Sequence, residues 1–223
     1  MARRVVIVGN GEIGDGLAAI IDAAGLVIRF NDCRSVGPGG HRTDIVAVCN
    51  TGRPGKSMIG NSGWAGNEAV RRAAAVWCVR DPAKFRAMRA GLLRSHPELD
   101  DFCDDHTDGF AGYARTNGKD FHIVPAATHE ALDGALASHS PTPYIVPSSG
   151  AVVIAEYLTH YRKPDDEVFL AGFGHRGWDG HPWEAERAWV DSLTAQGKLR
   201  RLDFPESVAA MPASPNAGRN LHG

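Results

Sequence analysis

The chain has 223 residues, 43% hydrophobic and 22% charged, with a formal net charge of −2, a balance that fits one globular core and excludes a wholly disordered chain. Lys and Arg are spread along the sequence without interleaved aromatics, so no nucleic-acid partner is expected. The apolar run after Met1-Ala2-Arg3-Arg4 is too short for a secretory leader or a membrane span, so the expected location is cytoplasmic.

Residues 5–8 (VVIV) form a β-branched run ending in glycine, and residues 17–24 (LAAIIDAA) carry apolar positions at helical spacing before Gly25. Strands follow at 26–30 and 44–49, the second after the Gly/Pro-rich SVGPGGHRT. Residues 51–67 combine glycine, proline and polar side chains without periodicity, which predicts a long surface loop. A strand at 75–79 precedes a helix capped by Asp81, opened by Pro82 and ending near Ser95. The acidic stretch 97–118 carries Phe102, Phe110 and Tyr113 at spacings that suit one buried helical face. His106 within it has a metal-compatible side chain, but a solvated helix face is the favoured reading.

Further on come a strand at 121–124, a helix capped by Thr128 and ending near Ala137, and a short strand at 144–146. A helix at 151–161, a strand at 167–171 and a long helix at 183–196 closed by Gly197 complete the pattern. The alternation predicts an α/β fold, a Rossmann-like doubly wound, mostly parallel sheet with helices on both faces. Residues 1–204 make a single domain, and the Pro/Ser/Ala-rich tail 205–223 is expected to be loosely held. Cys33, Cys49, Cys78 and Cys103 form no C-x-x-C pair and read as buried free thiols.

Gly9-Asn10-Gly11-Glu12-Ile13-Gly14 spells Gly-x-Gly-x-x-Gly. In a dinucleotide site the glycines permit the tight turn, the close approach of a pyrophosphate and the packing of helix on strand. Asp32 then stands where a ribose diol needs an acid, about 20 residues on. Arg29-Phe30-Asn31 precede it, a cation and an amide that are unusual for an adenosine-ribose clasp. A compact turn with no ligand would use the same glycines.

Two later segments are as distinctive. Pro147-Ser148-Ser149-Gly150 at a helix start turns hydroxyls and free N–H groups toward the edge of the sheet. His181-Pro182-Trp183-Glu184-Ala185-Glu186 opens the last helix. Taken in order, these segments resemble glycosyltransferase family 29, the animal sialyltransferases. The family's long motif looks like Gly9-Asn10-Gly11, Arg29-Phe30-Asn31 and Gly40-His41-Arg42-Thr43. Its short motif looks like Pro147-Ser148-Ser149-Gly150 through Asp166-Glu167-Val168 to Gly172-Phe173. Its last motif, His-x-x-x-x-Glu with a later glycine, looks like His181, Glu186 and Gly197. The sequence departs from that family in showing no membrane anchor, no cysteines placed for its disulfide, and less length for acceptor-binding insertions. Its overall texture is similar to small bacterial proteins labelled urease operon accessory proteins.

The resemblance implies a variant GT-A-like fold and a metal-independent, inverting transfer of an acidic sugar. The sugar, sialic acid or Kdo-like, would pass from a CMP-activated donor to a hydroxyl acceptor, without a cofactor. It implies His181 as general base, with Glu186 either orienting it or making a structural bond. Gly9, Asn10, Gly11 and Asn31 would hold phosphate and ribose, and Ser148, Ser149 and Gly150 would receive the nucleotide or the sugar carboxylate. His175 would donate to the leaving phosphate or be a loop histidine without a role. Trp178 and Trp183 would wall the acceptor side or simply pack. Asp100-Asp101 and Asp104-Asp105 fall in a helical stretch and Asp165-Asp166 precedes a strand, so no metal site is expected. Two alternatives stand beside this one: an NAD(P)-dependent oxidoreductase, and a non-catalytic nucleotide-binding accessory protein. A homodimer is left open.

Overall fold

The computed structural model describes residues 2–202, so the expected tail lies outside the described residues. Seven strands, β1 (Arg3–Val8), β2 (Leu26–Phe30), β3 (Ile45–Val48), β4 (Ala75–Cys78), β5 (Asp120–Ile123), β6 (Asp166–Ala171) and β7 (Arg200–Arg201), build one sheet. Their order is β5-β4-β3-β2-β1-β6-β7, and every pairing is parallel. The class expected from the alternation of strand and helix is the one found, with the sheet wholly parallel.

A parallel sheet covered on both faces needs strands that are apolar at every position, because odd and even side chains each meet a helical layer. In β1, Val5 and Ile7 join one core while Val6 and Val8 join another. The first core is filled from α7 (Ala126–Ala137), α8 (Ser149–Glu156) and α9 (Trp183–Ala195), through Leu132, Leu136, Val152, Val190 and Leu193. On the opposite face, α1 (Leu17–Asp22) covers β1 and β6. There α2 (Gly52–Gly60), α3 (Ser62–Gly66), α4 (Glu68–Arg72) and α6 (Thr107–Thr116) cover β3 and β4 through Met58, Trp64, Val70 and Phe110. Helix α5 (Pro82–Ser95) follows β4; it is capped by the Asp81 side chain and opened by Pro82, as the sequence predicts.

Several expectations give way. Residues 51–67 are helical, not a loop: Asn61 and Asn67 cap α3 and α4 with their side chains, and Gly55 lets α2 approach the backbone of Asn50. Tertiary contact here overrides poor helix propensity. The stretch 97–118 is not one helix, since a 3₁₀ turn (Pro97–Leu99) and further turns precede α6. Asp105 ends the acidic run by accepting from the Thr107 N–H and hydroxyl. His106 is half-buried against Gly55, with Nε2 enclosed, so it does not lie on a solvated face. Thr128 sits inside α7 and donates to Glu156 at 2.5 Å instead of capping. Residues 144–146 form no strand; the N–H groups of Ile145 and Val146 both reach the Gly180 carbonyl. The 151–161 helix divides into α8 and a π turn (Tyr157–Tyr161).

All four cysteines are free; Cys49 alone is half-buried and the other three are buried. Burial pushes the Cys33 thiol up to about 12 and raises Cys78 and Cys103 as well, which keeps these three unreactive.

Candidate functional site

The strand order makes β1 a switch point. From β1 the chain builds outward to β5, then returns to place β6 on the other side of β1. Loops leaving the carboxyl ends of β1 and β6 therefore diverge, and the crevice between them is where open α/β sheets take their ligands. A cleft of about 690 Å³ occupies that position. The ten residues that the resemblance gives a catalytic or nucleotide-binding role all line it, Gly9, Asn10, Gly11, Asn31, Ser148, Ser149, Gly150, His175, His181 and Glu186, and so do Trp178 and Trp183.

The glycine turn is closed on the protein itself. Gly9 donates to the Ala171 carbonyl at 2.8 Å and Gly11 to the Gly172 carbonyl at 3.0 Å. A Cβ on Gly11 would stand 2.7 Å from the Gly172 oxygen, and one on Gly9 would meet the same oxygen closer still. These glycines are therefore required by the packing of β1 on the turn after β6. Helix α1 starts only at Leu17 and has six residues, so the glycines do not sit at the head of a long helix as the dinucleotide fingerprint requires. Asp32 is half-exposed, pairs with Arg34 at 3.1 Å, and does not line the cleft.

The two asparagines face opposite ways chemically. Asn10 donates through Nδ2 to the Phe30 carbonyl at 3.3 Å, and its Oδ1 is buried without a partner. Asn31 accepts through Oδ1 from the Cys49 N–H at 2.9 Å, which leaves Nδ2 for the cleft. Asn31 holds a φ of 52°, a conformation that asparagine tolerates better than most residues. One amide thus offers an acceptor and the other a donor.

Across the cleft, Ser148 caps α8 by accepting from the Ala151 N–H. Glu186, only 2% exposed, accepts from the Ser148 N–H and hydroxyl, both at 2.6 Å. Both carboxylate oxygens are taken by Ser148, so Glu186 braces the serine turn and is not bonded to His181. Burial raises its pKa despite those two bonds and the nearby Arg80. With Ser148 fixed, the N–H groups of Ser149 and Gly150 are the first two of α8, which no helix satisfies internally.

His181 has Nδ1 2.8 Å from the Val146 carbonyl. A carbonyl only accepts, so Nδ1 carries the proton and Nε2 keeps its lone pair. Trp178 and Trp183 stand edge-on to the ring, each with centroids 5.0 Å away. Burial, with Arg80 adding to it, lowers the pKa to about 4 against the pull of the Val146 bond, so the ring is neutral at pH 7. His175 holds a φ of 45°, and its Nε2 accepts from Arg201 at 3.1 Å.

The sequence did not single out Arg34 and Arg176 at the lips, or the Phe30 and Phe173 rings, which meet edge-on at 6.1 Å. Phe30 and Phe173 lie inside the motifs quoted above, and that adjacency was the available signal; the arginines had none. Among the described residues no group of His, Cys, Asp or Glu is arranged to hold a metal ion, and no helix is long and apolar enough to cross a membrane.

Compared with known proteins, the chain matches no family model. It is 56% identical over 200 residues to the urease operon 23 kDa accessory protein of Rhizobium meliloti (strain 1021), covering 90% of this chain and 93% of that one. The chain belongs to the urease operon 23 kDa accessory protein family. Among solved structures, this family member superposes on a mammalian sialyltransferase with a TM-score of 0.51 at 18% identity, over 91% of this chain and 69% of that one. It superposes on the sialyltransferase CstII from Campylobacter jejuni, in complex with CMP-3FNeuAc, with a TM-score of 0.54 at 15% identity, over 93% and 83% of the two chains. The chain thus has a sialyltransferase-like, GT-A-like fold.

Proposed function

We propose that this protein binds a CMP-activated acidic sugar in the switch-point cleft and transfers the sugar to a hydroxyl with inversion. The observation that carries this is the pairing in one cleft of a histidine held with a free Nε2 lone pair and a braced helix start with free N–H groups. The complexes of CstII with CMP and with CMP-3FNeuAc support the choice of nucleotide. In this reading His181 Nε2 takes the acceptor's hydroxyl proton as the acceptor oxygen bonds to the anomeric carbon. The bond from that carbon to the phosphate oxygen breaks at the same time, and CMP leaves with the electron pair. Asn31 Nδ2 donates to a phosphate oxygen, and Asn10 Oδ1 accepts from a ribose hydroxyl. Ser149 and Gly150 receive a carboxylate or phosphate at the start of α8. The reaction needs no metal, because CMP is a good leaving group and positioning with charge stabilisation supplies the rest.

Hydrolysis of CMP-sialate and CMP-Kdo tests the proposal: wild-type turnover should fall about 100-fold or more in His181→Ala, whereas equal rates refute His181 as the base. The low basicity of His181 favours a second reading, nucleotide binding without turnover. Its signature is CMP binding with no hydrolysis or transfer in the wild type, in keeping with the accessory role named for the Rhizobium relative.

A further inference from the structure

His175 and His181 line the same cleft, yet each is tied by the opposite ring nitrogen. At His175 the partner is a guanidinium. Arginine has no lone pair to offer, so Nε2 must be the acceptor and the ring proton must sit on Nδ1. Arg201 is itself anchored, donating to Asp191 at 3.0 Å. The backbone at His175 is left-handed although the residue is not glycine, and such a conformation persists only where surrounding contacts hold it. Burial is the main cause that lowers the His175 pKa to about 4; of the charged groups around the ring, Arg201 and Arg187 add to it and Asp191 opposes it less strongly.

We propose that Arg201, tethered by Asp191, is a positioning residue that locks His175 as a neutral Nδ1–H donor, so that the ring donates to an anionic oxygen of the bound nucleotide. The inference rests on the nucleotide reading above for its ligand but not for the lock itself. It assigns the two imidazoles complementary duties, His181 presenting a lone pair and His175 a proton. It also gives the edge strand β7, whose two residues contribute little to the core, a reason to be arginine at its second position.

The lock is tested in the ligand-free, ¹⁵N-labelled full chain by long-range ¹H–¹⁵N correlation, with the His175 ring assigned by its loss in His175→Asn. The wild type should show the proton on Nδ1, and Arg201→Ala should move it to Nε2 and raise the ring's pKa toward the ordinary histidine range. A wild-type ring protonated on Nε2, or one unchanged in Arg201→Ala, overturns the lock. Should Arg201→Ala not fold, two substitutions at His175 carry the test, because Asn places its amide N–H near Nδ1 and Gln places it near Nε2. His175→Asn should keep CMP affinity within about twofold, and His175→Gln should weaken it about five- to tenfold; equal loss overturns the donation. Absence of CMP binding to the wild type overturns the donation together with the nucleotide reading, and the ligand-free spectra still decide the lock.

Discussion

At Gly9 and Gly11 the chain leaves a strand with its N–H groups bonded to the end of β6, whereas at Ser148–Gly150 it enters a helix with its brace beneath it and its first N–H groups free. Both turns line the same cleft. The glycine turn looks like the phosphate cradle in sequence, but the N–H groups of Gly9 and Gly11 are spent on closing β1 against the end of β6. The serine turn, less conspicuous in sequence, leaves the first helical N–H groups, those of Ser149 and Gly150, without a partner while a buried glutamate braces Ser148. A motif's function depends on where its backbone hydrogen bonds go, and that is a property of the partner strand.

Substitutions that add one methyl group separate the two turns. Gly9→Ala drives a Cβ into the Gly172 carbonyl, backbone against backbone, and should destabilise the protein by about 3 kcal/mol or more. Gly150→Ala meets the Phe173 ring instead, and a side chain can yield, so about 1 kcal/mol is expected. Denaturant midpoints measure both; equal losses would mean that the glycine turn is not the more tightly closed. Ser148→Ala should remove about 2 kcal/mol by taking away the cap and one of the two bonds to Glu186.

Acid weakens the fold through its buried histidines, two at the cleft and one, His129, bonded to the Val79 carbonyl. His129, His175 and His181 all have folded pKa values of about 4, below the ordinary 6.5. The unfolded chain therefore gains protons first as pH falls, and unfolding free energy should decline from about pH 6.5 to about pH 4, then stop declining from this cause. Glu186 works against that trend, because its raised pKa favours the folded state on protonation. Urea titrations across this range measure the net slope, and His181→Phe should flatten it; an unchanged slope would contradict the burial of a neutral imidazole. The smallest effect belongs to Asp32→Asn, which should alter stability by less than about 0.5 kcal/mol and leave nucleotide binding untouched. A large loss of NAD binding in that variant would restore the dinucleotide reading.

Much of this was legible because the strands advertise themselves. Val5 to Val8 are apolar at every position, and only a sheet covered on both faces needs that. That the candidate residues share one cleft was legible because three motifs fall at the carboxyl ends of β1, β2 and β6 and at the starts of α8 and α9, which the fold brings together. Residues 51–67 were not legible, since their helices depend on Asn61 and Asn67 as local caps and on a glycine fitting against Asn50. Glu186 left two roles open in sequence because its partner Ser148 lies 38 residues away, and only the fold decides between them. Arg201 gave no sequence signal; it sits in a two-residue strand that pattern reading passes over.

The central claim, that the switch-point cleft holds cytidine monophosphate, is tested most directly by the melting temperature of the purified full chain with CMP, CDP, NAD or NADP. CMP at about 100 times its dissociation constant should add about 2.7 kcal/mol, a rise of roughly 5–10 °C for a chain of this size, with NAD and NADP giving none. Stabilisation by NAD without stabilisation by CMP would contradict it.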